Sequence, residues 1–338
     1  MEHLRPDDPS RIGPHIVLAR PDAESAETRP PRLPQQAARS GGFGGSGGSG
    51  GPEPSAPALP ERRFVVRGAD GDRTYLARLP RTDVDPVRWA VEAAEAHRLG
   101  ADAGAGARPA IPGFLPVEEV GGTAEAPWCV TPYVPAVSLP AALRAHGGPL
   151  PEPVVRALGA ALARTLSVAH AQGVTHAGLS PAAVLLTPEG PRVSCFGAAR
   201  AAAPDGELRS GLPGLDSGSL APEQAAGGRP RPLGDVYALG AVLAYAATGH
   251  TVPEREELPL LLREPVAACL ARDPGHRPQA HQLLAHLESA ASPVTTHRAT
   301  VLDAAAPFPL PASVVTALAR RSAQLLAAEL PPSAHPLD

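Results

Sequence analysis

Two short runs rich in apolar residues, each bounded by Arg, lie within residues 62–79, RRFVVRGADGDRTYLARL, and are split by Ala-Asp-Gly-Asp. That pattern predicts two strands joined by a tight turn. Residues 11–20, RIGPHIVLAR, predict a short strand, and GFLPVEEV and WCVTPYV predict two more between 113 and 135. Residues 85–99 predict a helix with Asp85 and Pro86 at its start. Beyond residue 150 the period lengthens. Val154, Val155, Leu158, Leu162, Leu166 and Val168 fall near one face of a helix over 152–172. AAVLLT and PRVSCFG, split by Pro188-Glu189-Gly190, predict strands. The segment 234–248 is too apolar all round for a surface helix. Helices are also expected over 260–271, 278–288 and 311–329, the last with Val314, Val315, Leu318, Leu325 and Leu326 free to dock on the domain or on a partner. Strands first and helices later give an α+β class.

Composition changes this picture in one region. Residues 21–60 are dominated by Pro, Gly, Ala and Ser, including GGFGGSGGSGG. Such a stretch cannot bury enough apolar surface to offset its ordering, and mobility is expected. Aromatic residues supply only 3% of the chain, so Leu, Val and Ala must fill the core. The net charge of −4 is spread along the chain, which argues against a nucleic-acid partner. No Lys or Asn occurs, and all 30 basic residues are Arg. Cys129, Cys195 and Cys269 lie far apart, so neither a metal site nor a disulfide framework is expected. The first residues, MEHLRPDDPS, lack a hydrophobic signal core, and no apolar run reaches membrane-spanning length. A cytoplasmic chain is expected.

The chemistry-bearing text begins at His176-Ala177-Gly178-Leu179-Ser180-Pro181-Ala182-Ala183-Val184-Leu185-Leu186. Downstream come Pro191-Arg192-Val193-Ser194-Cys195-Phe196-Gly197-Ala198-Ala199-Arg200, then Ala221-Pro222-Glu223-Gln224, Asp235-Val236-Tyr237-Ala238-Leu239-Gly240, and Arg272-Asp273-Pro274-Gly275-His276-Arg277-Pro278. In this order they resemble the HRDLKPxNVLL, PRVIDFGIAR, APEQ, DVxxLG and RDPxxRP segments of actinobacterial serine/threonine protein kinases. The resemblance implies a two-lobed kinase-like α+β fold. Residues 1–10 would be a tail, 11–135 a strand-rich upper lobe with the flexible insertion at about 22–60, 136–290 a helical lower lobe, and 291–338 a tail with one amphipathic helix.

By this resemblance, architectural positions persist and catalytic ones do not. Asp235 would hold the backbone of the catalytic loop, Glu223 and Arg277 would form a buried pair, and His176 and Phe196, followed by Gly197, would join the column between the lobes. Gly178 stands at the position of the base, Ser180 at the catalytic Lys, and Ala183 and Cys195 at the two magnesium ligands. Phosphoryl transfer depends on metals, a cation on the transferring group and a carboxylate near the hydroxyl. A thiol is a poor magnesium ligand. Ala177 removes the Arg that would read a phosphorylated activation segment. In the upper lobe either Ala77 or Arg78 falls at the nucleotide-anchoring Lys. The first register would place Tyr75 over the adenine, and Glu92 fits the Glu that normally pairs with that Lys. Gly42-Phe43-Gly44-Gly45-Ser46-Gly47 satisfies G-x-G-x-x-G by composition and reads better as flexible insertion than as a phosphate loop. The expected function is a pseudokinase that binds another protein, an active kinase or signalling protein, with no cofactor or metal. The alternative is a degenerate kinase with residual ATP binding and weak transfer, using Glu189, Asp205 or Glu207 as replacement ligands. A third reading makes Cys195 a redox sensor.

Overall fold

The computed structural model describes residues 4–21, 59–100, 110–289 and 308–329. The motif Gly42–Gly47, most of the 22–60 insertion and the stretch 291–307 lie outside the described residues. In the upper lobe β1 (Arg11–Ile12), β2 (His15–Ala19), β3 (Glu61–Arg67), β4 (Thr74–Pro80), β5 (Glu119–Gly122) and β6 (Pro127–Pro132) form a six-stranded sheet in the order β1-β2-β3-β4-β6-β5. The expected strand at 11–20 is thus a hairpin turned at Gly13 and Pro14. GFLPVEEV forms a strand only at its end, while Phe114 makes an isolated bridge to Val193. Helix α1 (Pro86–Gly100) packs on the sheet through Trp89 and Ala93. Asp85 accepts from the N–H groups of Val87 and Arg88 and so caps its first turn.

The lower lobe is built on α3 (Glu152–Ala171) and α6 (Pro232–Thr248), with α7 (Leu260–Cys269) and α8 (Ala280–Ser289) around them. Leu158, Leu162, Leu239, Leu243 and Leu262 are fully buried in one core cluster. A small sheet, β7 (Val137–Ser138), β8 (Val184–Thr187) and β9 (Gly190–Val193), lies beneath the cleft. The sequence pattern missed α2 (Leu139–His146), which starts at Leu-Pro directly after β7 and ends on Gly147. Short helices α4 (Ala198–Ala202) and α5 (Pro222–Ala225) lie in the segment before α6.

Helix α9 (Ala312–Glu329) docks on its own chain. It touches α2 and β7 of the lower lobe and β2 of the upper one. Val314 and Leu318 are buried in the main core, whereas Val315 and Leu326 are exposed. Arg321 donates to the carbonyl of Ala136, in the segment linking the lobes. The exposed Val315 and Leu326 show that only part of the apolar face is used.

Candidate functional site

The catalytic-loop cassette is held by one carboxylate. Asp235, at the start of α6 and 2% exposed, accepts from the backbone N–H of His176 and of Ala177, each at 2.8 Å, and lies 2.9 Å from His170 Nε2. His176 is fully buried, with Phe114 edge-on at 5.1 Å and Phe196 at 6.0 Å. Burial pushes its imidazole down to about 4, so it is neutral near pH 7. Ala177 and Cys195 have positive φ, 54° and 61°, a conformation that favours glycine. The backbone geometry of this loop therefore persists without its usual side chains.

Two of the singled-out positions, Ala183 and Cys195, are taken up in apolar packing. Ala183 and Cys195 cluster with Leu59, Ala182 and Ala198, all under 9% exposed. Leu59 and Pro60 close the long insertion, and Pro60 rests on the backbone of Gly214. At Gly178 an added Cβ would sit 2.0 Å from the carbonyl oxygen of Cys195 and 3.0 Å from the N of Ala198. Gly178 is half-buried, and the Cys195 carbonyl occupies the space that a Cβ at this position would need. Ser180 accepts from the N–H of Ala183 at 3.3 Å and caps the turn 181–183. A magnesium ion does not fit this donor set, since it wants several hard oxygens and here finds methyls and a thiol.

The strand alternation of β4 settles which side chain enters the cleft. Tyr75, Ala77 and Leu79 pack with Phe64, Val66 and Trp128 on one face. Arg78 lies on the other face, opposite Cys129 and on the same cavity wall as Cys195. Of the two registers left open, only Arg78 puts a side chain on the cleft side, while Ala77 and Tyr75 belong to the opposite face. Arg78 does not meet Glu92. Its Nη1 lies 3.6 Å from Glu61, whose carboxylate also takes Nε and Nη2 of Arg63, both at 2.9 Å. Arg63 in turn donates to Ser194 Oγ at 2.9 Å and Cys195 Sγ at 3.3 Å. Burial alone would raise the Glu61 carboxyl, but Arg78 and Arg63 hold it below the ordinary carboxylate range. An internal carboxylate thus faces the guanidinium that would otherwise meet a phosphate.

Glu92 is paired with a residue outside the upper-lobe strands. It accepts from Arg200 Nε at 2.9 Å through each oxygen and from Nη2 at 2.7 Å. Gly197, at φ 75°, leaves room for this pair, because a Cβ there would lie 2.1 Å from the Glu92 carboxylate. No motif marks Glu61, Arg63 or Arg200 as site residues. Glu189 bonds Thr187 and Asp205 pairs with Arg209, which leaves them as local structural groups.

Glu223 and Arg277 form a bidentate pair at 2.7 and 2.8 Å, behind the activation segment. The thiols are quiet. Burial, with Glu61 nearby, pushes Cys195 up to about 12, and burial raises Cys129 to about 11 and Cys269 to about 12. All three are buried. A neutral buried thiol is a poor nucleophile. A disulfide-exchange reagent at pH 7 is expected to modify none of them until denaturant is added. Rapid labelling of Cys195 in the native chain would restore the redox reading.

No protein-family model matches the chain. It is 31% identical over 312 residues to a probable serine/threonine-protein kinase, PkwA of Thermomonospora curvata, covering 86% of this chain and 36% of that protein. It is 32% identical over 236 residues to the serine/threonine-protein kinase AfsK of Streptomyces coelicolor, covering 63% of this chain and 29% of AfsK. The chain therefore spans about a third of the length of these relatives. Among solved structures, a mutant of the Mycobacterium tuberculosis PknI kinase domain superposes with a TM-score of 0.52 at 19% identity, covering 69% of this chain and 91% of that domain. The fold is that of a protein kinase domain, and the relatives are bacterial serine/threonine protein kinases. No described helix is long and apolar enough to cross a membrane.

Proposed function

We propose that this chain, a protein kinase fold with serine/threonine kinase relatives, is a pseudokinase that acts by binding another protein and does not transfer phosphate. The observation that carries this reading is the apolar cluster of Leu59, Ala183 and Cys195. It includes both residues that stand at the positions of the fold's metal ligands, Ala183 and Cys195. The buried Glu61–Arg63–Arg78 network supports it, because Arg78 already has a carboxylate beside it. The loop frame persists through Asp235, and so does the Glu223–Arg277 pair. Selection for shape without selection for transfer would leave this combination. The partner would be an active kinase or another signalling protein.

Thermal shift in the presence of ATP tests the nucleotide side of this reading. Ligands that bind the native state raise its melting temperature by mass action. The expected result is no magnesium-dependent shift. A shift that requires both ATP and magnesium, and is lost in Arg78→Leu, would contradict it.

A further inference from the structure

We propose that helix α9 is a strap that fixes the angle between the two lobes and releases from its C-terminal end. With 18 residues it is about 27 Å long, enough to cross the segment that links the lobes. Near its start, Ser313 Oγ lies 3.3 Å from His146 Nδ1, at the end of α2. Two turns further on, Arg321 donates to the carbonyl of Ala136 in the linking segment. The helix also touches β2 of the upper lobe. The order His146, then Ala136, puts the residues after Arg321 on the upper-lobe side. This device is independent of whether the chain transfers phosphate.

A short link between two lobes is a pivot, and a few residues there can absorb a change of angle. On the cleft side the lobes are joined by polar pairs, Arg200 with Glu92 at 2.7 Å and Arg63 with Ser194 at 2.9 Å. Helix α9 adds a rigid element across the link itself. Its two ends are seated unequally. At the lower-lobe end, Val314 is 0% and Leu318 4% exposed, both within the main core. Just before the helix, the N–H of Phe308 donates to the carbonyl of Pro188 at 3.0 Å. From Ser322 to Ala327 no residue is buried, and Leu325 is only half-buried. Few buried contacts mean that little free energy opposes local opening. The same stretch, Ser-Ala-Gln-Leu-Leu-Ala, is rich in good helix formers, so it stays helical with little tertiary support. The upper end can therefore lift while the lower end stays anchored.

Spin-label distance measurement on the full chain tests the strap. The labels go on Thr82→Cys in the upper lobe and Ala285→Cys in the lower, both exposed positions, while the three native thiols are buried. With α9 intact the distance distribution should be single and narrow. Leu318→Asp, which unseats the helix, should broaden it and add a second population. Val315→Asp puts the same charge one position earlier on the helix's other side, at a site 50% exposed, and should leave the distribution unchanged. Hydrogen exchange over α6 should keep its wild-type rate in both variants, because the lower-lobe core stays folded. Without substitution, the amides of 322–327 should exchange faster than those of 314–319. An unchanged distribution in Leu318→Asp, equal broadening in Val315→Asp, or α6 exchange that accelerates together with the broadening would each overturn the strap. Slower exchange over 322–327 than over 314–319 would overturn its release from that end. If Leu318→Asp does not fold, Leu318→Ala is read in the same way.

Discussion

Replacing Arg277 with leucine is expected to lower stability by about 3 to 5 kcal/mol, the usual cost of breaking a buried ion pair from one side. The guanidinium is 0% exposed and donates to Glu223 at 2.7 and 2.8 Å. It also donates to the carbonyls of Ala271 at 2.8 Å, Leu233 at 3.1 Å and Arg272 at 3.2 Å, and lies 5.0 Å from the centre of the Tyr237 ring. Leucine would fill part of the volume but leave three backbone acceptors without a donor. Glu223 is 33% exposed, so water can recover part of its solvation, which places the loss towards the lower end of the range. Glu223→Gln should cost less, about 1 to 2 kcal/mol, since it keeps the shape and one acceptor. Arg277→Lys should resemble Arg277→Leu more than wild type, because an ammonium cannot serve the planar fork. Urea unfolding followed by circular dichroism measures the midpoint, with an unchanged slope showing that stability alone has moved. A loss under about 1 kcal/mol for Arg277→Leu would mean that the pair contributes little.

Restoring the missing base by Gly178→Asp should destabilise the chain and restore nothing. The new Cβ would meet the Cys195 carbonyl oxygen at 2.0 Å and Ala198 Cβ at 2.9 Å. Both belong to the segment carrying α4, which cannot move aside as a surface side chain could. Overpacking of this kind costs about 1 to 3 kcal/mol, and partial desolvation of a carboxylate at this half-buried position adds a smaller amount, so a total of about 2 kcal/mol or more is expected. Gly178→Ala separates the two contributions and should already show much of the steric loss. Adding Ala183→Asn and Cys195→Asp should still give no transfer from labelled ATP, because Leu59 would continue to cover both positions. Activity gained by the triple variant would show that three substitutions alone separate this chain from an enzyme.

Residue order made the fold legible, because architectural residues sit within recognisable segments. Asp235, Glu223 and Arg277 are flanked by apolar text that fixes their place. The upper lobe was harder to read. Strand period is two in either register, and a slip of one residue exchanges the faces, so Ala77 and Arg78 could not be separated until the partner strands were known. Leu59 and Pro60 close a Gly/Pro-rich stretch and look like more of it, yet they are buried against Ala183 and Gly214. Composition describes the average of such a tract and misses the few residues that dock. Glu61 and Arg200 were hidden for another reason. Arg200 pairs with Glu92, more than a hundred residues away, and Glu61 meets Arg63 and Arg78 across neighbouring strands whose register the sequence leaves open, so no local pattern signals either. Helix α2 was missed because it is too short to show a period.

The central claim is that the cleft holds shape without transfer chemistry. Incubation of the full chain with ATP labelled on the γ-phosphate, in magnesium and in manganese, tests it most directly, with a generic basic protein as acceptor. Incorporation should be no greater than in a heat-denatured control. Incorporation that grows linearly with time and with protein concentration, and that Arg78→Leu abolishes, would contradict it.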